Sequence, residues 1–286
     1  MKIYCSTGGF EDKPFYEVAN SFLKLGIKQV ELSSGSLVAG VPEKLISLSQ
    51  EIDLMLHNYF PPPRNPFVLN LASKDVQISE RTMGFFKNAI QLSASIGAKY
   101  YGVHAGFLTD ISVSEIGKTI NAKSILGRDE GMEIFISNIT ILDKFAVNHG
   151  VVLLVENNVL SKKNFINNTT NPLLLTSPEE INLFFQSVSK GVRLLLDFGH
   201  LKVSAMTLGF DLISAVSDIQ KWVGGYHMSE NHGELDDHLN FDSSAWFLSH
   251  LDATIDFATL EIKNSSPEEI LETWKMVNGK VNARLD

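Results

Sequence analysis

The sequence contains a single cysteine, Cys5, in 286 residues, so no intrachain disulfide can form and a reducing compartment is expected. Cys5 closes the apolar start of the chain with no base beside it, which makes it a core thiol rather than a nucleophile. Long apolar runs are missing too: the densest, Val151–Val155, has five residues, where a membrane-crossing helix needs about 18. The N-terminus lacks the charged-then-apolar profile of a signal peptide, and a cytoplasmic location without membrane association is the expectation. Positive charge is scarce, with 24 Lys and Arg against 33 Asp and Glu and a net charge of −9. That balance weighs against nucleic acid as a partner, because phosphate binding draws on Lys and Arg, although a local basic patch is compatible with it. Nor does Ser6-Thr7-Gly8-Gly9-Phe10 have GxGxxG spacing, so the usual sign of a doubly wound dinucleotide fold is missing.

What is present is ample apolar material: 44% hydrophobic and 20% charged residues. Size scaling gives a folded surface of roughly 12,000 Å² against about 46,000 Å² extended, which excludes a disordered chain and supports one large core. Short apolar segments alternate with longer helical stretches. The strand candidates are Lys2–Ser6, Gln29–Ser33, Asp53–Tyr59, Lys99–His104, Val151–Glu156, Val192–Asp197, Gly224–Met228 and Phe257–Lys263. Several read apolar on both faces, as buried parallel strands do. Between them, Ile78, Met83, Phe86 and Ile90 share a helix side, and Leu208, Leu212, Val216 and Ile219 recur at helical steps. Ser177-Pro178-Glu179-Glu180 and Ser266-Pro267-Glu268-Glu269 each read as a helix start with a capping box. Eight strand–helix units predict an α/β fold, a TIM (β/α)8 barrel forming a single domain over residues 1–286. The stretch Phe107–Asn148 reads as a loop insertion followed by a helix from Met132 to Val147. The prolines from Pro61 to Pro66 read as a stiff connection, or as one wall of a pocket at that end of the barrel.

The ionisable residues fall at one place in this rhythm. Strands two to eight stop on Glu31, His57, His104, Glu156, Asp197, His227 and Glu261, and in a barrel those ends converge on one face. Glu156, Asp197, His227 and Glu261 brought together would repel one another and lose hydration, unless a divalent ion such as Mn²⁺, Mg²⁺, Co²⁺ or Zn²⁺ sat among them. Around that set, His57, His104, His200, Asp236 and His238 are candidates for further metal ligands, for substrate binding or for orienting the first group. Tyr59, Phe60 and Phe107 read either as loop packing or as an apolar wall of the mouth; Lys263 reads as solvated or as a phosphate contact.

The segments Leu54-Met55-Leu56-His57-Asn58, Tyr101-Gly102-Val103-His104-Ala105-Gly106, Leu154-Val155-Glu156-Asn157, Leu196-Asp197-Phe198-Gly199-His200 and Tyr226-His227-Met228-Ser229-Glu230-Asn231-His232-Gly233, with Asp236-Asp237-His238 after them, resemble the xylose isomerase-like barrel superfamily over essentially the whole chain. The resemblance implies a metal-dependent isomerase or epimerase of a small sugar, ketose or sugar phosphate. In that pattern Glu156, Asp197, His227 and Glu261 hold one divalent ion, Glu156 and Glu261 exchange the substrate proton through an enediolate, and His200 binds substrate oxygens. Gly233 stands where those epimerases are expected to carry a substrate-gripping arginine. The same superfamily includes zinc-dependent endonucleases acting at abasic DNA sites. Their pattern assigns His57, His104 and Glu156 to one zinc, Glu156, Asp197, His227 and Glu261 to a second, and His200, Asp236 and His238 to a third. The Arg-rich text expected around that Asp-x-His pair is absent here. A small-molecule lyase or dehydratase and a noncatalytic carbohydrate-binding barrel remain further alternatives, and oligomeric state is left open.

Overall fold

Side chains alternate across a strand, so each strand end that reaches the mouth of a barrel sends every second residue inward. The computed structural model describes residues 1–120 and 124–283 and shows this arrangement. Its eight strands are β1 (Lys2–Ser6), β2 (Gln29–Leu32), β3 (Asp53–His57), β4 (Tyr100–His104), β5 (Val152–Glu156), β6 (Arg193–Asp197), β7 (Val223–Met228) and β8 (Phe257–Leu260). They form a closed parallel barrel in sequence order. The ring closes where Lys2 to Cys5 of β1 run beside Phe257 to Leu260 of β8. Tyr4, Met55, Leu154, Leu195 and Phe257 pack as a separate buried cluster within it. Two residues further along β3, β5 and β6 stand His57, Glu156 and Asp197, so the strand period that fills the floor also delivers the polar groups above it. The accessible surface of 12541 Å² is close to the ~12,000 Å² expected from chain mass.

The helices are α1 (Phe15–Lys24), α2 (Val41–Leu48), α3 (Val76–Ser95), α4 (Arg128–Asn148), α5 (Pro178–Ser187), α6 (Phe198–Leu208), α7 (Leu212–Ile219) and α8 (Pro267–Asn282). Their distribution departs from one helix per strand. Both α6 and α7 follow β6, while β7 reaches β8 through a loop whose only helical part is the 3₁₀ turn Trp246–His250. The single helical stripe expected from Leu208 to Ile219 is therefore two helices, because Asp211 restarts the chain by accepting Ser214 N–H at 2.8 Å. In α3 the buried face is Thr82, Phe86, Ala89, Ile90 and Ser93, with Ile78 and Met83 only half-buried. The five-residue step from Ile78 to Met83 turns Met83 away from the 82, 86, 89, 93 line. The long β4–α4 connection carries a 3₁₀ turn at Val113–Glu115 before α4; residues 121–123 of this expected insertion lie outside the described ones. Cys5 is fully buried, and burial pushes its thiol up, as a core role requires. No helix among the described residues is long and apolar enough to cross a membrane.

Candidate metal centre

Glu156 is the hub of the barrel mouth. It is fully buried, and each of its oxygens faces a different group. Oε2 lies 2.8 Å from His57 Nε2 and 3.0 Å from His104 Nε2, while Oε1 lies 3.0 Å from His227 Nδ1. Glu261 Oε2 approaches the same His227 Nδ1 at 3.0 Å, and Asp197 Oδ2 lies 3.9 Å from it. The ligand atoms of Glu156, Asp197, His227 and Glu261 all lie within 4.8 Å of one another, as do those of His57, His104 and Glu156. His200, Asp236 and His238 meet around one oxygen: Asp236 Oδ2 is 3.1 Å from His200 Nε2 and 2.8 Å from His238 Nε2. All nine residues singled out in the sequence thus reach the same mouth.

Local structure explains how each group is aimed. Asp197 is the N-cap of α6 and accepts His200 N–H with Oδ1 at 2.6 Å, which leaves Oδ2 for the centre. His200 Nδ1 lies 2.7 Å from the Asn157 carbonyl. A carbonyl only accepts, so Nδ1 donates to it, and the Asp236 carboxylate, also an acceptor, takes the Nε2 proton at 3.1 Å. His227 Nε2 lies 3.1 Å from Glu31 Oε2, an oxygen that also accepts the Thr259 hydroxyl at 3.1 Å. Glu31, His57 and His227 form a third close group, so Glu31 orients His227 from below. Asn157 ties β5 to β6, its amide donating to the Asp197 carbonyl at 3.1 Å and its Oδ1 accepting Asp197 N–H at 2.9 Å.

Two glycines make room. A Cβ on Gly102 would stand 2.8 Å from His57 Cδ2, so only glycine on β4 lets that imidazole into the barrel. Gly233 has a φ of +82°, and a Cβ there would meet Met206 Cγ at 2.8 Å. Any side chain at this position would therefore be strained. Sequence reasoning noted Glu31 at a strand end without its role, and passed over Asn157 and Gly102, although the Glu156-Asn157-Asn158 run and a glycine inside an apolar strand were both signals.

The electrostatics are those of crowded ligands. Burial opposes charge on His227, but Glu31, Glu156 and Glu261 outweigh it and hold its imidazole well above the usual range. Burial likewise opposes His200, where Asp197 and Asp236 prevail and raise it. His104 goes the other way, pushed down to about 4 chiefly by burial. Burial lifts Asp197 to about 6. Glu261 is held low despite burial, by His227 and then His238. Glu156 Oε1, Asp197 Oδ2 and His227 Nδ1 are buried without a well-formed hydrogen bond, a costly state for three converging polar atoms. Oxygen donors with one imidazole fit a divalent cation, so the residues present suit such an ion.

Above the centre opens a cavity of about 530 Å³, whose lining includes His104, His200, Asp236, His238, Glu261 and Lys263. Glu156, Asp197, His227 and His57 lie beneath this lining. One wall is built by the loops after β4 and β5, joined by Leu108 N–H to the Pro172 carbonyl at 2.7 Å and Leu174 N–H to the Gly106 carbonyl at 3.1 Å. Arg128 fixes the second loop by donating to the carbonyls of Asn171 at 3.0 Å and Leu173 at 2.7 Å. The prolines from Pro61 to Pro66 are absent from this lining.

No curated protein matches the chain at the sequence level. Among solved structures, a D-tagatose 3-epimerase-like protein superposes with a TM-score of 0.72 at 17% identity over 100% of both chains. The IOLI protein with a binding zinc atom gives 0.69 at 16% identity over 99% of both chains. Endonuclease IV from Thermus thermophilus gives 0.60 at 15% identity, covering 99% of this chain and 100% of its own. At such identities the likeness is one of fold. The sequence pattern of the xylose isomerase-like TIM barrel matches residues 24–277, and with the closed eight-stranded barrel it establishes that the chain belongs to that family.

Proposed function

We propose that the protein is a metal-dependent isomerase or epimerase acting on a small sugar, ketose or sugar phosphate. The carrying observation is that Glu156 and Glu261 flank His227 Nδ1, each at 3.0 Å, beneath a cavity of about 530 Å³ with room for a monosaccharide. Glu156, Asp197, His227 and Glu261 would hold the divalent ion, which when bound polarises a substrate carbonyl and lowers the barrier to removing the neighbouring proton. Glu261 lines the cavity and takes that proton. Glu156 offers Oε1 as the second acid/base atom, because His57 and His104 hold Oε2. His200 Nε2, Asp236 and Lys263 are placed to bind substrate oxygens at the rim. Tagatose and related epimerases among the fold neighbours support this reading.

One observation favours a second reading. The two imidazoles on Glu156 Oε2 make that carboxylate a bridge between two ligand groups, as in a polynuclear zinc phosphodiesterase acting at abasic DNA sites. That reading would require further ions at His57 and His104 and at His200, Asp236 and His238.

Two measurements separate the readings. Incubation with a ketose panel in deuterium oxide should place deuterium on carbon for the wild type and almost none for E156Q and E261Q with metal retained. Zinc titration approaching three ions per chain, with abasic-duplex cleavage lost in H104A and H238A, would establish the phosphodiesterase instead. Ligand binding without exchange or cleavage would mark a carbohydrate-binding barrel.

A further inference from the structure

Beside the mouth lies a second cavity of about 280 Å³, lined chiefly by Tyr59, Phe67, Leu69, Leu71, Phe107 and Ile116. It adjoins the metal mouth, sharing Asn58, His104, Phe107 and Ile116 with it. An apolar cavity of about 150 Å³ admits benzene, so this chamber has room for an aryl ring with a short linker.

The lining is held in place. Tyr59 stacks on Phe85 with centroids 5.5 Å apart and planes at 19°, and its hydroxyl accepts Phe67 N–H at 3.0 Å. Arg81 lies over the Phe67 ring at 3.8 Å while donating to the Asn65 carbonyl at 2.7 Å. Phe60, the third aromatic noted in this region of the sequence, is instead fully buried against Phe15 at 5.1 Å.

The more polar side chains at the chamber, Asn58 and His104, each have one polar atom directed away from it. His104 Nε2 faces Glu156 at 3.0 Å, and Asn58 Oδ1 accepts the His104 backbone N–H at 3.4 Å. A hydroxylated sugar carbon placed here would lose hydrogen bonds to water with little to replace them. Ile116, on the shared rim, leaves 56% of its surface exposed, apolar area that an apolar group spanning the two cavities would cover.

We propose that the natural substrate is a polyhydroxylated compound carrying an aryl-sized apolar substituent. The substituent fills the chamber beside His104 while the hydroxylated part lies at the metal ligands. This rests on the reading that a small carbohydrate occupies the mouth.

The test uses the full chain loaded with divalent metal and two probe sets. Fluorine NMR with 4-fluorobenzyl alcohol reports the chamber alone, and calorimetry compares phenyl with methyl β-D-glucopyranoside. In the wild type the fluorinated probe should bind in the millimolar range and the phenyl glycoside at least tenfold tighter than the methyl one. L69W, which fills the chamber, should weaken the probe at least tenfold and remove the phenyl preference. I116S changes only an exposed rim residue, so it carries the test if L69W misfolds, with an expected threefold loss. No phenyl preference in the wild type, or a preference that survives in both folded variants, overturns the inference. A phenyl preference alongside failed deuterium exchange and metal counts leaves the chamber standing and refutes the isomerase reading. Exchange without a phenyl preference does the reverse.

Discussion

Asp197 divides its two oxygens between two tasks. Oδ1 caps α6 on His200 N–H at 2.6 Å, and Oδ2 points into the ligand cluster. Loss of a cap costs about 1 kcal/mol, so D197A should lower the melting temperature and the metal content together. D197N retains a capping oxygen and should lose metal while keeping more of the stability. Plasma emission spectrometry and thermal denaturation of the two variants check this, and equal metal content in wild type and D197A would remove Asp197 from the ligand set. His227 supplies a pH dependence. Its folded value is raised above its ordinary 6.5, so in the metal-free protein its ion pairs stabilise fully below 6.5, and that contribution is lost as pH rises through the raised value. Metal must displace the same proton, so apparent metal affinity should climb from pH 6 to pH 8 and loading should release protons. Calorimetry in buffers of different ionisation enthalpy measures that release.

At the scale of elements, two helices with nearly the same opening residues begin differently. In α8 the capping box is complete: Ser266 accepts Glu269 N–H at 3.2 Å and Glu269 Oε2 accepts Ser266 N–H at 2.7 Å. In α5 the Ser177 bond is 3.4 Å, and Glu180 turns instead to Leu175 N–H at 2.6 Å and to Arg128 at 2.8 Å. The mouth loop thus competes successfully for the glutamate. S266A should therefore cost about 1 kcal/mol and S177A measurably less, read from urea midpoints. On β4, G102A would press on His57, which lies 2.8 Å from Glu156 Oε2 and packs against His227 with ring centroids 4.8 Å apart. Its expected effect is weaker metal binding with the barrel intact, visible as a lower zinc content after dialysis; under the polynuclear reading the loss would fall on the ion at His57 and His104.

For the molecule as a whole, the ligand cluster joins β2, β3, β4, β5, β6, β7 and the end of β8 around one charged centre. A metal that binds only the folded barrel stabilises it by about 2.7 kcal/mol at a free concentration 100 times its dissociation constant. For a chain of this size that corresponds to a rise of roughly 5 °C in melting temperature. Dialysis against a chelator should reverse the rise, and re-addition of zinc or manganese should restore it. A melting temperature indifferent to metal would count against binding at the mouth.

Much of this was legible in the chain itself. Strand periodicity and the placement of Glu31, His57, His104, Glu156, Asp197, His227 and Glu261 at strand ends were sufficient to predict the barrel and its polar face, because both follow from local alternation. Tertiary structure decided what local sequence does not encode. The two oxygens of Glu156 were divided between His57 with His104 and His227 by the order in which β3, β4 and β7 surround β5 in the closed ring. Glu180 was drawn from its helix cap by Arg128, 52 residues earlier. Tyr59 and Phe107, equally consistent in sequence with loop packing or a pocket wall, became walls because the loops after β3 and β4 meet above the barrel, whereas Phe60 found the core. Each of these depends on distances between residues far apart in the chain, which exist only once the barrel has closed.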